Sequence, residues 1–140
     1  SAPAAFTVEN TVTSSVSLTI NSVIHITIEE TITLPPINKG ETSTDPFSWT
    51  NHSDTSVVIS IRAWYSTGTG QTGPPSGTTH KIENGTNTQP IGTTEVAIGW
   101  RQNIPIPTVD TIYWEVYKCE TTLSTPGGQY SWTLNWKATG

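Results

Sequence analysis

The sequence predicts an all-β protein: a single-domain antiparallel β-sandwich, or a flattened barrel, of about seven to nine strands over residues 1–140. Three observations carry this. Over residues 6–34 the apolar side chains keep one phase, with Phe6, Val8, Val12, Val16, Leu18, Ile20, Ile24, Ile26, Ile28, Ile32 and Leu34 at even positions. Among the odd positions only Val23 is apolar. A period of two puts successive side chains on opposite faces of a sheet. The composition agrees, since 27 Thr against four Leu, six Ala and no Met favours the pleated strand over the helix. Finally, the remaining apolar runs are short, alternate in the same way and are parted by Pro, Gly and Asn turns.

As one strand, residues 6–34 would measure roughly 90 Å at ~3.3 Å per residue, so the segment must fold back. Breaks are expected at Asn10-Thr11, Ser14-Ser15, Asn21-Ser22 and Glu29-Glu30. The last follows because Glu30 falls in the oily phase and needs a bulge or an edge. Pro35-Pro36 stops the sheet, and Asn38-Lys39-Gly40 reads as a turn. Phe47-Ser48-Trp49 is a short strand, with a polar turn at 51–54. Residues 56–65 form the clearest central strand, Val57, Ile59, Ile61 and Ala63 pointing inward and Val58, Arg62 and Trp64 lying on the other phase. Residues 66–94 are rich in Gly, Thr, Pro, Asn and Gln, with Ile82 and Ile91 as aliphatic anchors. They are expected to form a long loop, within which Asn84-Gly85 could turn a minor hairpin.

Residues 95–102 resume alternation, with Val96, Ile98 and Trp100 inward and Arg101 outward. Ile104-Pro105-Ile106-Pro107 reads as an extended linker or edge. In 111–119 the aliphatic phase assigns Ile112, Trp114 and Val116 to one face and Tyr113, Glu115, Tyr117 and Cys119 to the outward one. Pro126-Gly127-Gly128 turns the chain into a last strand with Tyr130, Trp132, Leu134 and Trp136 in one phase.

The formal charge is −5, and the six cations are spread along the chain. Without a basic stripe to neutralise phosphates, nucleic acid is not an expected partner, and attraction to anionic lipid through a polybasic cluster is discounted. Cys119 is the only cysteine, so neither an intramolecular disulfide nor a thiolate zinc site can form. The lack of a disulfide leans toward a cytosolic or bacterial origin; the sequons at Asn51-His52-Ser53 and Asn84-Gly85-Thr86 lean toward secretion. No run long enough for a signal peptide or membrane helix occurs, and a soluble, mature domain is expected.

No catalytic motif is spelled out around His25, His52 or His80, no calcium loop around Asp45, Asp54 or Asp110, and no cofactor is implied. An enzyme is therefore not the expected class. Trp100, Trp114, Trp132 and Trp136 share phase with aliphatic neighbours and read as core. Trp64, Tyr113 and Tyr117 lie in the opposite phase, with Arg62, Arg101 and Glu115 nearby in sequence. An aromatic platform flanked by hydrogen-bonding groups suits a sugar ring, whose CH face packs on the ring while its hydroxyls meet polar side chains. The expected carbohydrate-binding residues are Trp64, Tyr65, Arg62, Tyr113, Tyr117, Arg101, Glu115, Asn84 and Asn87. The leading functional expectation is thus a non-enzymatic, lectin-like defence or recognition protein, a homo-oligomer whose partners are glycans or glycoconjugates.

Residues 11–34 support a second expectation. Their alternation resembles the inserting hairpins of aerolysin-type pore formers, which implies a membrane-active cytolysin contacting lipid, with Asn21-Ser22 at the hairpin tip. In size, acidity and Trp-rich β character the whole chain resembles small defence proteins such as fungal lectins and aegerolysins. A third expectation is a structural coat, spike or adhesin module.

Overall fold

Alternation builds most of the sheet framework. A computed structural model describes residues 8–20, 23–54, 58–105 and 109–140. Phe6, the Asn21-Ser22 break, Val57 and the Ile106-Pro107 half of the linker lie outside the described residues. Among the described residues the strands are β1 (Ile26–Ile28), β2 (Thr42–Asn51), β3 (Ser60–Ser66), β4 (Thr79–Asn84), β5 (Asn87–Ile91), β6 (Val96–Ala97), β7 (Thr111–Glu120) and β8 (Thr133–Thr139). All pairings are antiparallel, giving a five-stranded sheet in the order β1-β2-β7-β4-β5 and a three-stranded sheet in the order β6-β3-β8. This is the expected β-sandwich.

The core lies between the sheets. Phe47 and Trp49 of β2 meet Trp136 of β8, with ring centroids 5.5 and 5.9 Å apart. Ile59, Ile61 and Ala63 are fully buried, as their phase requires, and Ile82, Ile98 and Tyr117 complete the centre. Replacing Ile61 by Ala should therefore cost about 2–5 kcal/mol of stability in a denaturant titration. Ile26→Ala should cost less, about 1–2 kcal/mol, because Ile26 is a half-buried edge residue.

The 6–34 alternation is realised only in part. Ile26, Ile28, Ile32 and Leu34 pack against the core from the edge of β2. The strand ends at Ile28 and the chain bends at Glu30, where the oily phase is broken. There Glu29 Oε1 accepts hydrogen bonds from the Ser48 amide (2.7 Å) and hydroxyl (2.9 Å), and Asp45 Oδ2 accepts from the Thr33 amide (3.2 Å). Carboxylates thus replace the ladder along that edge. Pro46 is tolerated inside β2 because β1 does not extend opposite it. The hairpin expected between 11–20 and 23–34 is not formed: β1 pairs with β2, and 8–20 has no strand partner among the described residues.

Two further expectations are corrected. The stretch 66–94 is not one long loop, since β4 and β5 form a full hairpin inside it and β4 lies in the interior of the larger sheet. Asn84 and Asn87 pair across Gly85-Thr86, with Gly85 at φ 58° supplying the positive φ such a two-residue turn requires. What remains as loop is the connection from Thr67 to Thr78 and the short turn that begins at Gly92 after β5. The face assignment of β7 is also inverted. Ile112 (62% exposed) and Trp114 (57% exposed) point to solvent, while Glu115, Tyr117 and Cys119 are buried and Tyr113 packs against the core. Burial also pushes the Cys119 thiol above its ordinary range, with the Glu120 carboxylate adding to the effect. The native protein should accordingly be inert to a thiol reagent and react stoichiometrically once unfolded, as a spectrophotometric thiol titration would read.

Candidate functional site

The inversion of β7 follows from what its buried carboxylate touches. Glu115, 1% exposed, accepts five hydrogen bonds. Oε2 receives Trp49 Nε1 at 2.7 Å and Arg101 Nε at 2.8 Å. Oε1 receives Trp100 Nε1 at 3.0 Å, Asn84 Nδ2 at 3.1 Å and Arg101 Nη2 at 3.2 Å. A short 3-10 turn (Gly99–Arg101) after β6 swings both Trp100 and Arg101 onto this carboxylate, so Arg101 lies inward rather than outward. Its guanidinium also sits 4.6 Å from the centroid of Tyr113, which stacks on Trp49 at 4.5 Å. Burial raises the Glu115 pKa, but the hydrogen bonds from Arg101, Trp100, Trp49 and Asn84 outweigh it and hold the carboxyl below its usual range.

A second polar chain crosses the interior beside it. The Thr78 hydroxyl donates to the Pro75 carbonyl (2.9 Å), so its oxygen accepts from His80 Nε2–H (2.9 Å). His80 Nδ1 then accepts from the Tyr117 hydroxyl (2.7 Å), whose oxygen accepts from Trp132 Nε1 (2.9 Å). The bonding pattern assigns the neutral Nε2–H tautomer. Burial lowers the His80 pKa to about 4 and pushes that of Tyr117 well above the ordinary phenol range. The chain ties β4, β7 and the approach to β8 together without a mobile proton at neutral pH.

Tyr117 and Trp132 form part of the floor of a concavity. This cleft of about 630 Å³ runs between Ile28 at the end of β1, with residues 29–34 that follow it, and residues 130–134, which lead into β8. A smaller hollow of about 260 Å³ shares Leu34, Tyr130 and Trp132 with it and continues toward Pro35, Pro36 and Pro126. Among the described residues β1, which ends at the cleft, pairs only with β2, and β8, which begins there, pairs only with β3. The burial pattern marks the cleft as incomplete. On β3 Ile61 and Ala63 are fully buried, whereas Trp132, Leu134, Trp136 and Ala138 on and before the neighbouring β8 remain half-buried, as do Ile28, Ile32 and Leu34.

The nine residues expected to bind carbohydrate do not converge. Arg62 and Trp64 share the outer phase of the three-stranded sheet, Trp64 half-buried and Arg62 paired with Glu95 at 3.2 Å. Tyr65 turns inward onto His80, ring centroids 4.6 Å apart, and Tyr117 is buried below it. Tyr113, Glu115, Arg101 and Asn84 belong to the buried network, and Asn87 is exposed at the β4–β5 turn. Tyr113, Glu115 and Tyr117 are thus not outward-facing. Both sequon asparagines are engaged, Asn51 fully buried and accepting from the Ser53 amide, Asn84 donating to the Trp114 carbonyl at 3.0 Å.

One arrangement had no signature in the sequence. Thr27 Oγ1 lies 2.9 Å from His52 Nε2, and His52 Nδ1 lies 2.7 Å from Asp110 Oδ2. Hydroxyl, imidazole and carboxylate stand in the order used to activate a nucleophile. The arrangement occupies an open rim, with the Asp110 side chain 66% exposed, and its residues line neither cleft. Only the pairing of β1 with the end of β2 brings Thr27 and His52 together. A scan of the sequence against protein-family models finds no match, and a search of curated proteins finds none either.

Proposed function

We propose that this chain is a structural module that self-associates through the open edge of its sandwich, a building block of a coat, fibre or adhesin. The observation that carries this is the cleft of about 630 Å³ between the end of β1 and the start of β8, each an edge strand among the described residues, floored by half-buried Trp132 and Leu134. A free edge with an apolar interior beside it is a template for another strand. The edge of β8 has few of the devices that block such pairing, with no proline and one charge, Lys137, which is paired with Glu95 at 3.2 Å. Sedimentation velocity across a wide concentration range tests the reading, with electron microscopy of the concentrated sample. Concentration-dependent oligomers or filaments are expected; a monomer throughout would overturn it.

Glycan binding is a second reading, supported by Trp114, which stands 57% exposed opposite Ser48 of the neighbouring strand. Trp64 and Arg62 on the other outer face provide a further aromatic surface with a hydrogen-bonding neighbour. On a glycan array, Trp114→Ala and Trp64→Ala should each lower the signal while leaving circular dichroism unchanged. A blank array for the wild type removes this reading.

A further inference from the structure

We propose that the cleft is filled by residues 8–20 of a second copy of this chain, added as a strand beside β8. This rests on the self-association reading and names its partner segment. Val8, Val12, Val16, Leu18 and Ile20 share one phase and are each between 82% and 96% exposed. Five aligned apolar side chains in water are a surface made for burial elsewhere. The same chain leaves its own cleft open, so the segment and its receptor coexist unfilled in one molecule.

The two parts match in length, face and charge. Residues 12–20 span roughly 30 Å when extended, against about 23 Å for the seven residues of β8, at ~3.3 Å per residue. Stretch 12–20 has no charge, glycine or proline, and is built of Val, Thr, Ser, Leu and Ile, residues suited to a strand. In strand geometry Val12, Val16, Leu18 and Ile20 would face Leu134, Trp132, Ile28 and Ile32, while Thr11, Thr13, Ser15, Ser17 and Thr19 would face water beside the polar rim. Backbone hydrogen bonds to the free edge of β8 supply affinity, and the alternating apolar contacts supply register. Segment and cleft are different surfaces, so the contact is heterologous and propagates into an open chain of subunits unless a ring closes.

The test uses V16D/L18D, whose side chains are exposed in the isolated chain and leave the sandwich untouched. By sedimentation the wild type should assemble, and V16D/L18D should stay monomeric with an unchanged unfolding temperature. A synthetic peptide of residues 8–20, titrated into V16D/L18D, should bind saturably, raise its unfolding temperature and change its Trp fluorescence. Assembly of V16D/L18D like wild type, with no peptide binding, overturns the strand donor yet keeps self-association through another face. Peptide binding to V16D/L18D with a monomeric wild type keeps the segment–cleft fit and overturns assembly. A monomeric wild type that unfolds at higher temperature than V16D/L18D overturns the second copy in favour of self-insertion. Dye release from lipid vesicles by wild type, lost in V16D/L18D, overturns the proposal in favour of membrane insertion.

Discussion

Glu115→Leu should destabilise the fold by about 3–5 kcal/mol, the range seen when one partner of a buried ion pair is removed. The substitution strands Arg101, whose side chain is only 17% exposed, and removes the acceptor of Trp49, Trp100 and Asn84 at once. Leaving buried donors unpaired is what makes the loss large; each such group carries a desolvation penalty of about 1–3 kcal/mol. Glu115→Gln is the sharper probe. It keeps the shape and one carbonyl acceptor but removes the charge, and places an NH2 group against donors. A chemical denaturation series of E115Q, R101L and the double variant should give strongly non-additive losses, since both residues act in one network. Additive effects would show that the carboxylate and guanidinium act independently. The pH dependence has a definite sign. A carboxyl depressed in the folded state stabilises above its unfolded value near 4.5 and loses that contribution as pH falls through the folded value.

The same residue explains why the fold was more legible than the site. Strands β3 and β8 could be read directly, because Ile59, Ile61 and Ala63, and Leu134 and Trp136, mark the inward phase with apolar side chains. In β7 the rule fails. Ile112 and Trp114 occupy the solvent phase because the inward one is reserved for Glu115 and its donors from four other positions, which no local pattern reveals. Strands β4 and β5 were hidden by polar outer residues such as Lys81, Glu83 and Gln89, although His80 and Ile82 alternate inward and Asn84-Gly85 announces the turn. Segment 8–20 shows the opposite failure. Its periodicity records a face suited to burial, but periodicity alone does not say in which sheet, or in which molecule, that face finds a partner. The Thr27–His52–Asp110 contact depends on register between distant segments and has no trace in spacing.

Acidification should weaken the protein through His80. In the folded state its pKa falls to about 4, from 6.5 in the unfolded chain, because the imidazole is buried beneath Tyr65 and Trp132 with both nitrogens already bonded. Between these values the unfolded chain binds the proton and the folded one does not, so stability rises with pH across that window and is lost as pH drops through it. The full difference corresponds to at most about 3 kcal/mol. Glu115 follows the other rule, contributing in full above about 4.5 and losing that contribution between there and its own depressed value, so its share falls below the stretch from 6.5 down to 4.5 over which His80 acts. Denaturant midpoints measured at half-unit steps of pH should slope upward there for wild type. His80→Gln should start from lower stability, because it disrupts the Thr78–His80–Tyr117 chain, and should show a much flatter profile over the same window. An H80Q profile parallel to wild type would mean that another group carries the acid sensitivity and that His80 takes up its proton within the fold.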